Sequence, residues 1–204
     1  QRTHTVYIWL GLALIILSSF ALIDGLSLFN QWLFEQFPWG TSILARSESN
    51  NALIEKLFQP LTPAVVAANV LVIVLLPAFG EELFFRGVVQ KMVARSMGVP
   101  GAIAVSALSF ALVHNHPAAL LPILFMGVVL GMSKEFTQSI WAPMLIHFTN
   151  NAVTLALTAK NQGKMSMDTE ASHWGLYIGS AALMVLGFWL LRKYAGNGPA
   201  RRVS

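Results

Sequence analysis

The sequence predicts an all-α protein, a polytopic membrane bundle of about six transmembrane helices with an amphipathic segment at the interface. Three observations support this prediction. Of the 204 residues, 55% are hydrophobic and 11% charged, whereas a soluble domain carries about 25% charged residues. Apolar runs that can cross a hydrocarbon layer of about 30 Å recur along the chain. Since no polar stretch is long enough for a second core, we expect residues 1–204 to form a single membrane domain.

The candidate spans cover about residues 6–23, 63–80, 100–114, 118–134, 141–159 and 173–191. No small-residue cleavage site follows the first run, so we expect it to be a retained span. Residues 24–61 mix aromatic and polar side chains, which is typical of one or two amphipathic pieces lying at the interface. Helical character continues through Met97 and stops at Gly98-Val-Pro-Gly101, because Gly and Pro together are a strong stop signal.

The charged residues predict the orientation. Cytoplasmic termini place nine Lys and Arg residues inside and four outside, as the positive-inside rule requires. The inside set is Arg2, Arg86, Lys91, Arg95, Lys134, Arg192, Lys193, Arg201 and Arg202, and the outside set is Arg46, Lys56, Lys160 and Lys164. The net charge of +4 forms no basic face with interleaved aromatics, so no nucleic-acid partner is expected. The small size and brief loops favour an integral protein of the bacterial inner (plasma) membrane.

Several polar residues interrupt the apolar runs. Glu81 and Glu82 follow the run 65–79, His114 ends the run 102–113, and His147 and Asn151 lie four residues apart on one helical face. Each has an ordinary structural interpretation, such as an ion pair or a hydrogen-bonded packing histidine. Ionisable groups are costly at membrane depth unless they are paired or hydrated. Their joint occurrence in a chain with few charges therefore favours a functional site.

The turn at residues 98–101 gives a test of whether these groups can meet. If the helices on its two sides pack antiparallel, positions equidistant from about residue 99 lie level. Glu82 is 17 residues before that point and His114 is 15 after it, so their depths differ by about 3 Å. The next hairpin turns near Gln138 on the same side, and His147 lies about 14 Å beyond it. We expect one cavity, reached from the cytoplasmic half.

Three motifs occur in order: Glu81-Glu82-Leu-Phe-Phe-Arg86, Phe110-Ala-Leu-Val-His114 and His147-Phe-Thr-Asn-Asn151. They resemble the E-E-x-x-x-R, F-x-x-x-H and H-x-x-x-N motifs of the CPBP family of intramembrane proteases, the CAAX-protease and bacteriocin-processing (Abi) family. One motif alone is a weak signal, but three in order are specific. The resemblance covers about residues 64–155, which we expect to be the catalytic core.

The resemblance implies intramembrane proteolysis, the hydrolysis of a peptide bond in a membrane-associated protein or peptide. By the same resemblance, Glu81 is the general base, His114 helps it to activate a water, and His147 and Asn151 hold the oxyanion. The expected supporting residues are Glu82, Arg86 and Phe110. The residues themselves fit this chemistry, because a carboxylate beside an imidazole can activate water, and a neutral His and an Asn amide supply two donors. The chain has no Cys, and no Ser or Thr obviously pairs with these histidines.

A zinc ion is the alternative means of activating water. Glu81, His114 and His147 form a two-histidine, one-carboxylate set of the kind that binds zinc, and the family was long described as metalloproteases. Since the chain has no H-E-x-x-H motif, we favour a glutamate-type protease without a cofactor.

Two other functions stay open. The chain could be a catalytically idle membrane subunit or a bacteriocin-immunity-type scaffold, although an idle protein would be free to lose Glu81 or His114. It could also be a small transporter or proton relay, although it lacks the internal repeat that many transporters carry. The expected partners are a membrane-associated substrate and the lipid bilayer, and further membrane subunits stay open.

Overall fold

The computed structural model describes residues 2–57, 62–160 and 174–195, and this part of the chain is helical without a strand. Seven α-helices are present in these ranges: α1 (Arg2–Glu35), α2 (Pro38–Leu57), α3 (Pro63–Asn69), α4 (Gln90–Val113), α5 (Leu120–Thr137), α6 (Trp141–Lys160) and α7 (Trp174–Tyr194). Three π-helical stretches join α3 to α4, namely Val70–Leu75, Pro77–Glu81 and Leu83–Val89. We call residues 70–89 the π segment. The predicted all-α class is confirmed.

Four helical runs in the described residues are long and apolar enough to cross a membrane: His4–Glu35, Pro63–Val113, Pro117–Thr137 and Trp174–Tyr194. The second run contains a break at Gly98, whose φ of 67° and ψ of 178° are not helical. Only glycine adopts this conformation readily, so the predicted stop lies at the predicted residue. α6 has the length of a span, but the polar residues of the site lower its hydropathy. The chain is an integral membrane protein.

The first helix is longer than the sequence predicts. Residues 6–23 were expected to form the span, with residues 24–61 as separate interfacial pieces, but α1 continues to Glu35. Hydropathy falls after residue 23 because Asp24 and Asn30 are polar, yet both have partners inside the bundle. Tyr177 donates to Asp24 at 3.1 Å, and Asn30 donates to the backbone of the loop before α5. Only α2 is a separate helix in the described part of this region.

The helices pack so that the bundle has two distinct ends. α1 runs antiparallel to α7, since Tyr7 stacks on Tyr194 at one end and Asp24 meets Tyr177 towards the other. The turns at Gly98 and Gln138 lie at the end that holds the start of α1, which we call the turn end. At the opposite end, which we call the loop end, α1 and α2 contact the loop at residues 114–119. α5 contacts α1, α4, α6 and α7 and lies at the centre.

Candidate active site

The π segment carries the two consecutive glutamates of the site. Pro77 lies within it and has no backbone N–H to donate, so regular α-helical bonding cannot continue through this point. The backbone widens instead, and the N–H of Leu76 bonds to the carbonyl of Leu71, five residues back. Successive residues of a helix face different sides. Glu82 is therefore completely buried, while the side chain of Glu81 is 32% exposed.

The break at Gly98 folds α4 back along the π segment. Ser106 Oγ donates to the carbonyl oxygen of Phe85 at 3.1 Å, and the rings of Phe85 and Phe110 meet edge to face. In both pairs, the residue number midway between the two partners is close to 97, at the turn. The prediction that the glutamates and His114 lie level across this hairpin is confirmed, since Glu81 and His114 face each other.

Glu81 and His114 form the first pair of the site. Glu81 Oε2 and His114 Nε2 are 3.8 Å apart, and both side chains are 32% exposed. His114 Nδ1 lies 2.7 Å from the carbonyl oxygen of Phe110. Because a carbonyl only accepts, Nδ1 carries a proton, and when the ring has no second proton Nε2 presents a lone pair to Glu81. The gap exceeds a direct hydrogen bond and matches one water that contacts both atoms.

Glu82, Arg86 and His147 form a second group, which is almost completely buried. Glu82 Oε1 accepts from Arg86 Nη1 at 3.0 Å and from His147 Nδ1 at 2.9 Å. Arg86 Nη2 donates to the carbonyl oxygen of Gly127 on α5 at 2.9 Å. The side chains of Glu82 and Arg86 are 0% exposed and that of His147 is 6% exposed. Glu82 thus orients His147, a pairing that the sequence argument did not predict.

Phe110 lies between the two groups and contacts both. Its ring centroid lies 4.5 Å from that of His114 and 5.9 Å from that of His147. Arg86 Cζ lies over the same ring at 4.6 Å, a cation–π contact. The ring of Phe110, which is 2% exposed, keeps the two histidines apart and excludes water from Arg86.

Asn151 has a backbone partner that was not expected from the sequence. It lines the same cavity as His114 and His147, but its Nδ2 donates to the backbone carbonyl of Ile73 in the π segment at 3.0 Å. One of its two N–H groups is therefore engaged by the backbone. The neighbouring Asn150, which the sequence argument did not single out, lines the cavity as well.

A cavity of about 1110 Å³ lies beside these residues. Its walls are the second half of α1, the start of α2, the end of α4, the first half of α5, and α6 from His147 onwards. Gln31 and Glu35, both exposed, lie at its margin. Among the described residues, those that line it include Asp24 and Glu35 but no Lys or Arg.

The residues that line the cavity lie towards the loop end, whereas access was expected from the half that holds the turns at Gly98 and Gln138. Counting residues from a turn shows which groups lie level with one another, and 15 to 17 helical residues cover about 24 Å. Glu81 and His114 therefore lie about that far from the turn, towards the loop end.

Two buried polar residues that were not expected from the sequence hold the site in place. Asn30 of α1, 0% exposed, donates to the carbonyls of Pro117 and Ala118 and accepts from the N–H of Leu121. It therefore fixes the loop that follows His114. Gln90, also 0% exposed, donates to Gly131 and Glu135 on α5. Its position, four residues after Arg86, was the available signal, whereas no local pattern identifies Asn30.

The zinc alternative needs three ligands around one point. No group of three His, Asp or Glu side chains suited to a metal ion is found in the described ranges. His147 bonds through Nδ1 to Glu82, and His114 bonds through Nδ1 to the carbonyl oxygen of Phe110. Both contacts leave Nε2 available, as in histidines that bind zinc and donate their other ring N–H to a carboxylate or carbonyl. The hydrogen bonds of the two rings are therefore compatible with either means of activating water.

Comparison with known families agrees with the motifs. Residues 63–153 match the family model described as type II CAAX prenyl endopeptidase Rce1-like. The resemblance to the CPBP family is confirmed. The Rce1-like region contains both glutamates, both histidines and Asn151, whereas α1, α2 and α7 lie outside it. At the level of the family, the match supports a membrane-embedded endopeptidase that acts on membrane-associated proteins. No curated protein and no solved structure matches this chain.

Proposed function

We propose that the protein is an intramembrane endopeptidase in which Glu81 and His114 activate a water to hydrolyse a peptide bond. The observation that carries this proposal is the facing pair itself, with 3.8 Å between Glu81 Oε2 and His114 Nε2. Glu81 Oε2 is buried and has no hydrogen-bond partner in the described part of the chain. A buried acceptor without a partner is costly, and a substrate water would satisfy it.

The geometry suggests how the water is held. A water between the two atoms donates one O–H to the Glu81 carboxylate and the other to the unprotonated Nε2 of His114. Its lone pairs then point away from both acceptors, towards a bound peptide carbonyl. Glu81 takes a proton as the water oxygen bonds to the carbonyl carbon, and this proton passes to the nitrogen of the leaving amine when the C–N bond breaks.

His147 is the proposed donor to the oxyanion, in a modified form of the expected role. Its Nδ1–H is held by the carboxylate of Glu82, so in a neutral ring Nε2 would carry a lone pair and could only accept. Donation to an oxyanion therefore requires the doubly protonated ring, rather than the neutral ring expected from the sequence. Glu82 would then be shared by that ring and the Arg86 guanidinium, so the group would carry a net positive charge that favours an oxyanion beside it.

The test uses purified protein in detergent and a panel of synthetic peptides anchored by a lipid or an apolar helix, with products identified by mass spectrometry. Glu81→Gln and His114→Ala should each lower cleavage at least about 100-fold, the usual contribution of a general base. Glu35→Gln is the matched control, because it makes the same change at an exposed carboxylate at the margin of the cavity. Cleavage at the wild-type rate in both site variants would refute the proposed mechanism.

The same assay tests whether the reaction needs a metal and whether the protein is instead an idle scaffold. Reaction in H₂¹⁸O should place the label in the new carboxylate, as direct attack by water requires. A chelator should leave the rate unchanged, whereas loss of activity that zinc restores would establish the metal mechanism. A wild-type protein that cleaves no peptide of the panel, while its folded state is intact, would favour the idle scaffold.

A further inference from the structure

Pro77 opens the backbone one turn before the proposed base. In an α-helix the carbonyl of Ile73 would accept from the N–H of residue 77, but proline has no N–H. The proline ring also clashes with the carbonyl four residues earlier and pushes it away from the helix axis. The Ile73 carbonyl thus lacks its α-helical donor, and an unpaired backbone group at membrane depth is costly. Two kinds of donor can replace the lost one, the backbone N–H five residues on, as in a π-helix, and a polar side chain from a neighbouring helix.

Asn151 supplies that donor. Its Nδ2 donates to the Ile73 oxygen at 3.0 Å, although 78 residues separate the two in sequence. The contact joins α6 to the first part of the π segment, and the two elements also pack through Val74 and Leu155. Among the described residues, no other side chain donates a hydrogen bond to the Ile73 oxygen.

We infer that Asn151 is a positioning residue that compensates for Pro77 and thereby sets the place of Glu81. Pro77–Glu81 is a single π-helical stretch, so any shift of the backbone at Pro77 is passed directly to Glu81. The separation of Glu81 and His114 depends on that placement. The role of Glu81 in this inference rests on the proposed function, whereas the contact between Asn151 Nδ2 and the Ile73 oxygen does not.

This role differs from the oxyanion contact implied by the family resemblance. An oxyanion donor touches the reacting atoms, and its importance does not depend on residue 77. A donor that compensates for proline matters only while proline is present, since Pro77→Ala would restore a backbone N–H for the Ile73 carbonyl. The two roles therefore make opposite predictions for a double-mutant cycle.

The experiment measures Asn151→Ala in the wild-type and Pro77→Ala backgrounds. In the wild-type background, Asn151→Ala should lower kcat/KM about tenfold, which corresponds to about 1.4 kcal/mol, and lower Tm by about 2–4 °C. In the Pro77→Ala background, both losses should shrink to less than half. Asn150→Ala is the matched control, because it removes the neighbouring amide from the same cavity wall, and its effect should be the same in both backgrounds.

Equal losses on Asn151→Ala in the two backgrounds would overturn the inference. In particular, an equal loss of kcat with unchanged Tm would assign Asn151 to direct contact with the oxyanion. The Tm cycle needs no substrate. If the wild type fails to cleave, the proposed function fails while the Tm cycle still decides whether Asn151 compensates for Pro77. If Pro77→Ala alone abolishes cleavage, the Tm cycle still decides whether Asn151 compensates for Pro77.

Discussion

Arg86→Met tests whether the enclosed ion pair holds the site together. The substitution introduces an apolar side chain of similar length. It removes the donors to Glu82 and Gly127, at 3.0 and 2.9 Å. It also removes the cation over the Phe110 ring. Glu82, which is 0% exposed, would be left with His147 as its one charged or polar partner in the described hydrogen bonds. Loss of one member of a buried ion pair costs about 3–5 kcal/mol.

The expected loss is large enough to measure by thermal unfolding. For a chain of this size, 1 kcal/mol shifts Tm by about 2–4 °C, so Arg86→Met should lower Tm by about 6–20 °C. The six tryptophans allow unfolding to be followed by fluorescence in detergent. Glu82→Gln combined with Arg86→Met should recover part of the loss, because it removes the unpaired carboxylate.

The matched control is Arg192→Met on α7, since Arg192 is exposed and surface substitutions usually change stability by less than about 0.5 kcal/mol. If Arg86→Met lowers Tm by no more than the control does, the reasoning about the buried pair is wrong. If the double variant is less stable than Arg86→Met alone, the explanation by an unpaired carboxylate is wrong as well.

Two further predictions concern the loop end. Asn30→Ala removes three hydrogen bonds to residues 117–121, so it should speed hydrogen exchange in that loop and lower the cleavage rate severalfold. Gln31→Ala is its control, and equal exchange in both variants would contradict the role of Asn30. For topology, Gln36→Cys at the loop end should react with a membrane-impermeant maleimide in intact cells, and Gln138→Cys at the turn end should not. The chain has no other cysteine, and the reverse labelling pattern would show that the termini lie outside.

The parts of the site that follow from helix geometry were predictable from the sequence. Gly98-Val-Pro-Gly101 defined the turn, and counting residues on its two sides placed Glu81 and Glu82 level with His114. This worked because both legs belong to one hairpin, in which depth depends on the residue number alone. The π-helical widening of residues 70–89 did not change this result, because residues at similar distances from the turn still face each other.

Which groups face each other was not predictable in the same way. A count of residues gives depth but not direction around the helix axis, so it did not show that His147 binds Glu82 while His114 faces Glu81. The position of the cavity was also missed, because part of its wall comes from α1 and α2, outside the three motifs. Asn30 gives no local signal, since its partners lie 87 to 91 residues away. The limits of the single domain and of the catalytic core, about residues 64–155, stay predictions.

Arg86 and Gln90 each donate to a main-chain oxygen of α5, those of Gly127 and Gly131. A main-chain oxygen is present whatever residue occupies the position, so these two contacts place no demand on side-chain chemistry there. They demand only small size, because a Cβ at Gly127 would lie 2.9 Å from Ala107 Cα. Substitutions at residues 127 and 131 can therefore damage the buried network by adding bulk, but they cannot remove these two acceptors, whereas substitution of Glu135 removes the third. Relatives of this protein are expected to vary at these two positions only among the smallest residues.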